Sequence, residues 1–221
     1  MNRTALTTHV RDLTGIYSTD VISDTLIYTW LNEAYNEIAR ERDWDWLELT
    51  FNDALPAASG GVHTINLPSG TRRVLSAYLV GSSGYVEELV QVPELDNVER
   101  FDLGVKYDVD FAGVVRIAPE QTDLPKTAKI RYSRTSVDLA TGTDSPVFDG
   151  QFHVALAYRA AVKVLAFVAD DTPRSEFYLA EYQNLLLGMY ELYELDHDNR
   201  TFQLGQDGLE TRKYFPWFRP A

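Results

Sequence analysis

Four histidines stand at positions 9, 63, 153 and 197, and none has a second histidine one helical turn away. A zinc hydrolase of the H-E-x-x-H kind needs that spacing, so the imidazoles do not spell a metal centre. His153 falls in an apolar, helix-like stretch, where a satisfied core or interface histidine is expected. Asp196-His197-Asp198 gathers potential ligands, but the cluster reads as a solvated helix end. The chain has no cysteine, which removes thiolate metal sites, disulfides and Cys nucleophiles together. GxSxG, GxGxxG and GxxxxGK[ST] are all absent, so no nucleophile elbow, dinucleotide fingerprint or phosphate-binding loop is signalled. Asp170 and Asp171 could be drawn as an acid–base pair. At a helix–helix turn, two neighbouring aspartates are expected to turn and cap the chain instead. No enzyme, metal or cofactor is expected from these residues.

The elements that carry them alternate in texture. Residues 4–13 read as a short helix stopped by Gly15. Ser23 stands where an N-cap belongs, with Asp24 in the first turn, and Ile27, Trp30, Leu31, Ala34, Tyr35 and Ile38 recur at spacings of three and four. That pattern predicts an amphipathic helix to about Arg42. Trp44 and Trp46 follow it, and with Trp30 and Tyr35 they are expected in the core rather than in a ligand cage. From 47 to 137 the chain turns β-rich. Strands are expected over 47–52, 62–67, 74–80, 85–90, 107–111, 114–117 and 128–133, the fifth and sixth forming a hairpin. A short helix is expected over 93–101. Helical texture then returns in an Ala-rich segment, 148–169, and again over 173–195, where Thr172 is expected to cap and Pro173 to open the helix. The last stretch, 198–221, is aperiodic yet aromatic. The expected class is α+β: a helical bundle from both ends of the chain with an inserted sandwich- or barrel-like β-domain. Its expected bounds are 1–46 and 138–197 for the bundle, 47–137 for the insert, and 198–221 for an extended docking tail.

Net charge is −13. A protein that grips phosphate backbones needs clustered Lys and Arg, so that class is disfavoured. A surface that DNA merely passes is not, because a negative wall repels a polyanion. The polar start, 1–11, does not read as a secretory signal. The longest apolar run, near 154–169, is interrupted by Arg159 and Lys163, so no membrane span is expected.

Three segments carry a family resemblance. They are LNEAYNEIARERDWDWLE (31–48), IRYSRTSVDLATGTDSPVFD (130–149), and AYRAAVKVLAF (157–167) with the Tyr-rich helix after it. In order and spacing they resemble bacteriophage head-to-tail adaptor proteins, also called head completion or neck proteins. The resemblance runs from about Thr4 to Asp196 and leaves the final stretch outside. It implies a structural virion protein and no catalytic residues. It further implies a ring, commonly a dodecamer, docked below the portal. Such a ring would extend the DNA channel, meet the next neck or tail protein, and assemble in host cytoplasm. On that reading, the acidic candidates for a channel wall are Glu33, Glu37, Glu41, Asp170 and Asp171. The candidates for docking to the portal or a neighbouring subunit are Phe202, Arg212, Lys213, Tyr214, Phe215, Trp217, Phe218 and Arg219, since aromatics and Arg are the usual interface anchors. Three rivals stand beside it, one of them a soluble host interaction domain. A tail terminator or tail tube would be dominated by β-structure, against the flanking helices here. A virion-associated cell-wall hydrolase would need a nucleophile or paired acids that no motif supplies.

Overall fold

The computed structural model describes residues 1–57, 62–81, 86–92, 106–110, 113–118, 126–168 and 171–206, with 126 and 194–206 described as backbone alone. The described residues form four α-helices and two four-stranded sheets, an α+β protein as the texture predicts. The chain divides into two compact units. One combines 1–34 with 139–221, and the other is 35–138.

The helical unit starts with α1 (Arg3–Thr14). Asn2 caps it by accepting from the Ala5 N–H, and Gly15 closes it at φ 73°, a left-handed conformation that glycine adopts without steric cost. α2 (Asp24–Glu41) begins in this unit, with the Ser23 Oγ accepting from the Leu26 N–H at 3.3 Å. The Ala-rich segment forms a 3-10 turn (Gly150–Phe152) and then α3 (Val154–Val168). Ala155, Ala157, Ala160 and Ala161 are wholly buried, so α3 approaches its neighbours α1 and α4 closely. By length and composition alone 150–168 could cross a membrane. Half of that window is buried inside the protein.

α4 runs Thr172–Gln206, which corrects two expectations. The stretch after Leu195 is not extended at its start, because the helix continues through 198–206. The cap is Asp171 rather than Thr172: its carboxylate accepts from the Arg174 N–H at 3.2 Å and its carbonyl from the Ser175 N–H at 3.0 Å. The shorter, ionised side chain one residue earlier wins the helix N-terminus, where negative charge is favoured.

The second unit holds the latter part of α2, a 3-10 turn (Asp45–Leu47) and all the strands. Its boundary at Tyr35 has a local cause. The Tyr35 ring stacks on Trp46 with centroids 5.9 Å apart, and the Trp44 indole N–H donates to the Ile38 carbonyl at 2.6 Å. Arg72 donates to the Ala39 carbonyl at 3.1 Å. The tryptophans therefore serve the core, Trp44 with only 1% of its surface exposed. The strands are β1 (Glu48–Ala54), β2 (His63–Asn66), β3 (Thr71–Gly81), β4 (Val86–Glu88), β5 (Val90–Gln91), β6 (Lys106–Val109), β7 (Val114–Ala118) and β8 (Lys126–Arg134). The sheet orders are β1-β8-β3-β4 and β2-β7-β6-β5. Ile65, Leu79, Tyr107, Ile117, Ala128 and Ile130 from both sheets share one core.

The expected hairpin is β6–β7, antiparallel, with Gly113 at φ 76°. The single strand expected over 85–90 is two. β4 pairs with β3, and after buried Leu89 the chain crosses to pair β5, in parallel, with β6. A buried residue at the crossing lets one segment serve both sheets. The short helix expected over 93–101 lies outside the described residues.

Candidate functional site

Glu33, Glu37 and Glu41 recur every fourth residue and so form one stripe down α2. Glu33 is exposed, yet its carboxylate pairs with the Lys163 ammonium of α3 at 2.5 Å. Glu37 is half-buried and Glu41 exposed. Asp171 caps α4 and faces Arg174 at 3.7 Å. Glu33 and Asp171 are thus engaged within the helical unit, and Asp170 lies outside the described residues. Among the docking candidates, Phe202 falls on α4, while Arg212, Lys213, Tyr214, Phe215, Trp217, Phe218 and Arg219 lie outside the described residues.

A more constrained surface surrounds 139–144, inside the second resemblance segment. The Arg3 guanidinium donates to the carbonyls of Leu139 at 3.0 Å and Ala140 at 2.6 Å, and lies 3.9 Å from the Tyr28 ring centroid. The first backbone N–H groups of α1 also point here: Arg3 N–H reaches the Asp144 carbonyl at 2.8 Å and Thr4 N–H the Gly142 carbonyl at 3.2 Å. These donors have no partner within a helix, so the strand-to-helix connection satisfies them. Asn32 on α2 accepts from the Leu139 N–H at 2.8 Å. A side chain at Gly142 would press its Cβ to 2.7 Å from the Thr4 hydroxyl. Within the connection, the Thr141 hydroxyl and N–H donate to Asp144 at 2.6 Å each and hold its carboxyl below the ordinary range. Arg3 is not signalled by any motif. Asn32 belongs to the L-N-x-A-Y run, but its role requires knowing that 139 returns beside it.

His153 is 5% exposed. Its Nε2 pairs with the Phe148 carbonyl at 2.9 Å, and its Nδ1 with the Met1 amine and carbonyl. Burial, as the first cause, pushes its pKa below the ordinary histidine value. This is the satisfied core histidine that its sequence context predicts. Among the described residues, no group of three or more His, Asp or Glu could hold a metal ion. The described side chains at these positions supply surfaces and braces.

A family model described as SU10 adaptor protein matches residues 1–205. The chain belongs to that family. It is a phage head-to-tail adaptor, a structural component of the virion, and the family implies association with portal and tail proteins. The SU10 adaptor match extends beyond Asp196 to residue 205, so the first part of the final stretch lies inside the shared pattern rather than outside it. No curated protein matches.

Proposed function

We propose that copies of this chain close into a dodecameric ring docked below the portal, extending the DNA channel and joining the capsid to the next neck or tail protein. Assembly takes place in host cytoplasm. In this reading α1–α4 act as one bundle with the two-sheet unit as its insert, following 1–46, 47–137 and 138–197, and the stretch 198–221 docks. The family match over 1–205 carries the proposal. The net charge of −13 supports a channel that DNA passes without sticking. The wall candidates are Glu33, Glu37, Glu41, Asp170 and Asp171. Glu33 is neutralised in part by Lys163, and Asp171 by α4's own N-terminus and Arg174.

The aromatic and basic residues between Phe202 and Arg219 anchor the ring to the portal or to a neighbouring subunit. Burying one large aromatic contributes roughly 1.5–3 kcal/mol, enough for a few to offset the ordering of a short segment. Negative-stain imaging of the purified chain, alone and with portal rings, tests the reading. Rings seated on the portal are expected, and a monomer that leaves portal rings bare would overturn it. In the same assay, deletion of 214–221 is expected to weaken portal co-sedimentation while leaving thermal unfolding unchanged.

A further inference from the structure

The helical unit has two unlike ends. At the end where α1 and α3 begin, backbone donors, Arg3 and His153 are tied to 139–148. At the other end α1 finishes, α2 starts and α3 hands over to α4. That end is fixed by Arg174 and Tyr178, whose side chains donate to the Leu13 carbonyl at 2.5 and 2.7 Å. It leaves large apolar side chains in water: Tyr17 is 65% exposed, Phe167 67% and Phe177 59%, with Val21 and Val168 also exposed. Phe177 and Phe167 are braced rather than loose. Phe177 packs edge-on against Tyr178 at 5.6 Å between centroids, and Phe167 against Trp30 at 5.8 Å. Asp12 on α1, Asp20 in the turn before α2 and Glu176 on α4 stand exposed, as does Arg174, which is held by the Leu13 carbonyl and Asp171. An aromatic surface rimmed by carboxylates suits an occupant that is aromatic and basic.

The chain carries such a segment at 212–219: Arg212, Lys213, Tyr214, Phe215, Trp217, Phe218 and Arg219. It starts from the wrong end of its own subunit. Phe177 lies near the start of α4 and Gln206 ends it, a separation of about 44 Å at ~1.5 Å per residue. From Gln206, Tyr214 and Phe215 reach at most about 32 Å at ~3.6 Å per residue, more than 10 Å short. Only a chain extended at every residue brings Phe218 level with Phe177.

We propose that residues 212–219 of one subunit dock on the Tyr17–Phe167–Phe177 end of a second copy. This deepens the ring reading and rests on it, by naming the surface that receives the segment. The absence of cysteine makes the test clean. Full-length Trp217→Cys and Phe177→Cys proteins are mixed under mild oxidation, with the double variant run at dilution. A disulfide joining two different chains in the mixture is expected, with an intrachain bond scarce in the double variant. A bond forming only within one chain would overturn the proposal, as would no bond at all. As a second measurement, Phe167→Ser with Phe177→Ser is expected to weaken self-association in sedimentation by roughly tenfold or more while leaving the melting transition in place. Unchanged self-association would also overturn it. Portal co-sedimentation separates the two readings. Portal binding without an interchain bond keeps the ring and removes this contact. An interchain bond without portal binding does the reverse.

Discussion

The two compact units solve the same burial problem with opposite side chains. The helical unit packs α3 through Ala155, Ala157, Ala160 and Ala161, all fully buried. The sheet unit fills its interior with Ile65, Leu79, Tyr107, Ile117 and Ile130, drawn from both sheets. Small residues let helix backbones approach, so they tolerate removal of volume and resist its addition. Branched side chains filling the gap between sheets have the reverse sensitivity. Large-to-small changes should therefore injure one unit, and small-to-large changes the other.

The largest effect is expected from Ile117→Ala, which removes a fully buried branched side chain from β7. Such cavities cost about 2–5 kcal/mol. Urea unfolding followed by Trp44 and Trp46 fluorescence, with Trp30 and Trp217 changed to Phe, reads the sheet unit directly. If the helical circular dichroism signal moves by as much, the units unfold as one and the contrast fails. Ala160→Leu comes next. It adds volume where α3 has none to give and should cost about 1–3 kcal/mol, seen chiefly in the helical signal. A stabilised Ala160→Leu protein would mean that the helices hold unfilled space. Asp171→Ala removes the α4 cap and should cost about 1 kcal/mol, with Asp171→Asn recovering most of it.

A pH dependence gives the finest distinction. Burial lowers the His153 pKa in the folded protein, so folding favours the neutral ring. Stability is then greatest above the unfolded histidine pKa of about 6.5 and declines as pH falls through it toward the lower folded value. The helical unit should soften on acidification from pH ~7.5 to ~5.5 across that range. His153→Gln should flatten that slope in thermal melts. A slope that survives the substitution would move its origin to another group.

Much of this was legible beforehand, for reasons that differ by element. Gly15, Ser23 and the spacing from Ile27 to Ile38 act locally, and local rules placed α1 and α2 to within a residue or two. The strands over 107–117 announced themselves by alternation around Ala112-Gly113. The break between β4 and β5 did not, because it depends on which sheet each half pairs with. The end of α4 was hidden for a related reason. Past Leu195 the sequence loses an apolar stripe while the backbone stays helical. The acidic stripe on α2 was visible as spacing, but Lys163 stands 130 positions away from Glu33 in the chain, and nothing local foretells that ion pair. Arg3 and Asn32 were missed on the same account: their partners are main-chain groups beyond 138.

Building one unit from both ends of the chain also sets a timetable for synthesis. Leu6 and Val10, both fully buried in the finished protein, leave the ribosome long before α3 exists to cover them. Roughly 100 residues separate 34 from 139, which is a delay of about 5–20 s at ~5–20 residues per second. Only at the end of that interval have residues 35–138 all been made, and throughout it α1 waits as an amphipathic helix with an uncovered face. Nascent chains arrested near residue 140 should therefore bind chaperones through 3–14, and chains arrested beyond 200 should release them.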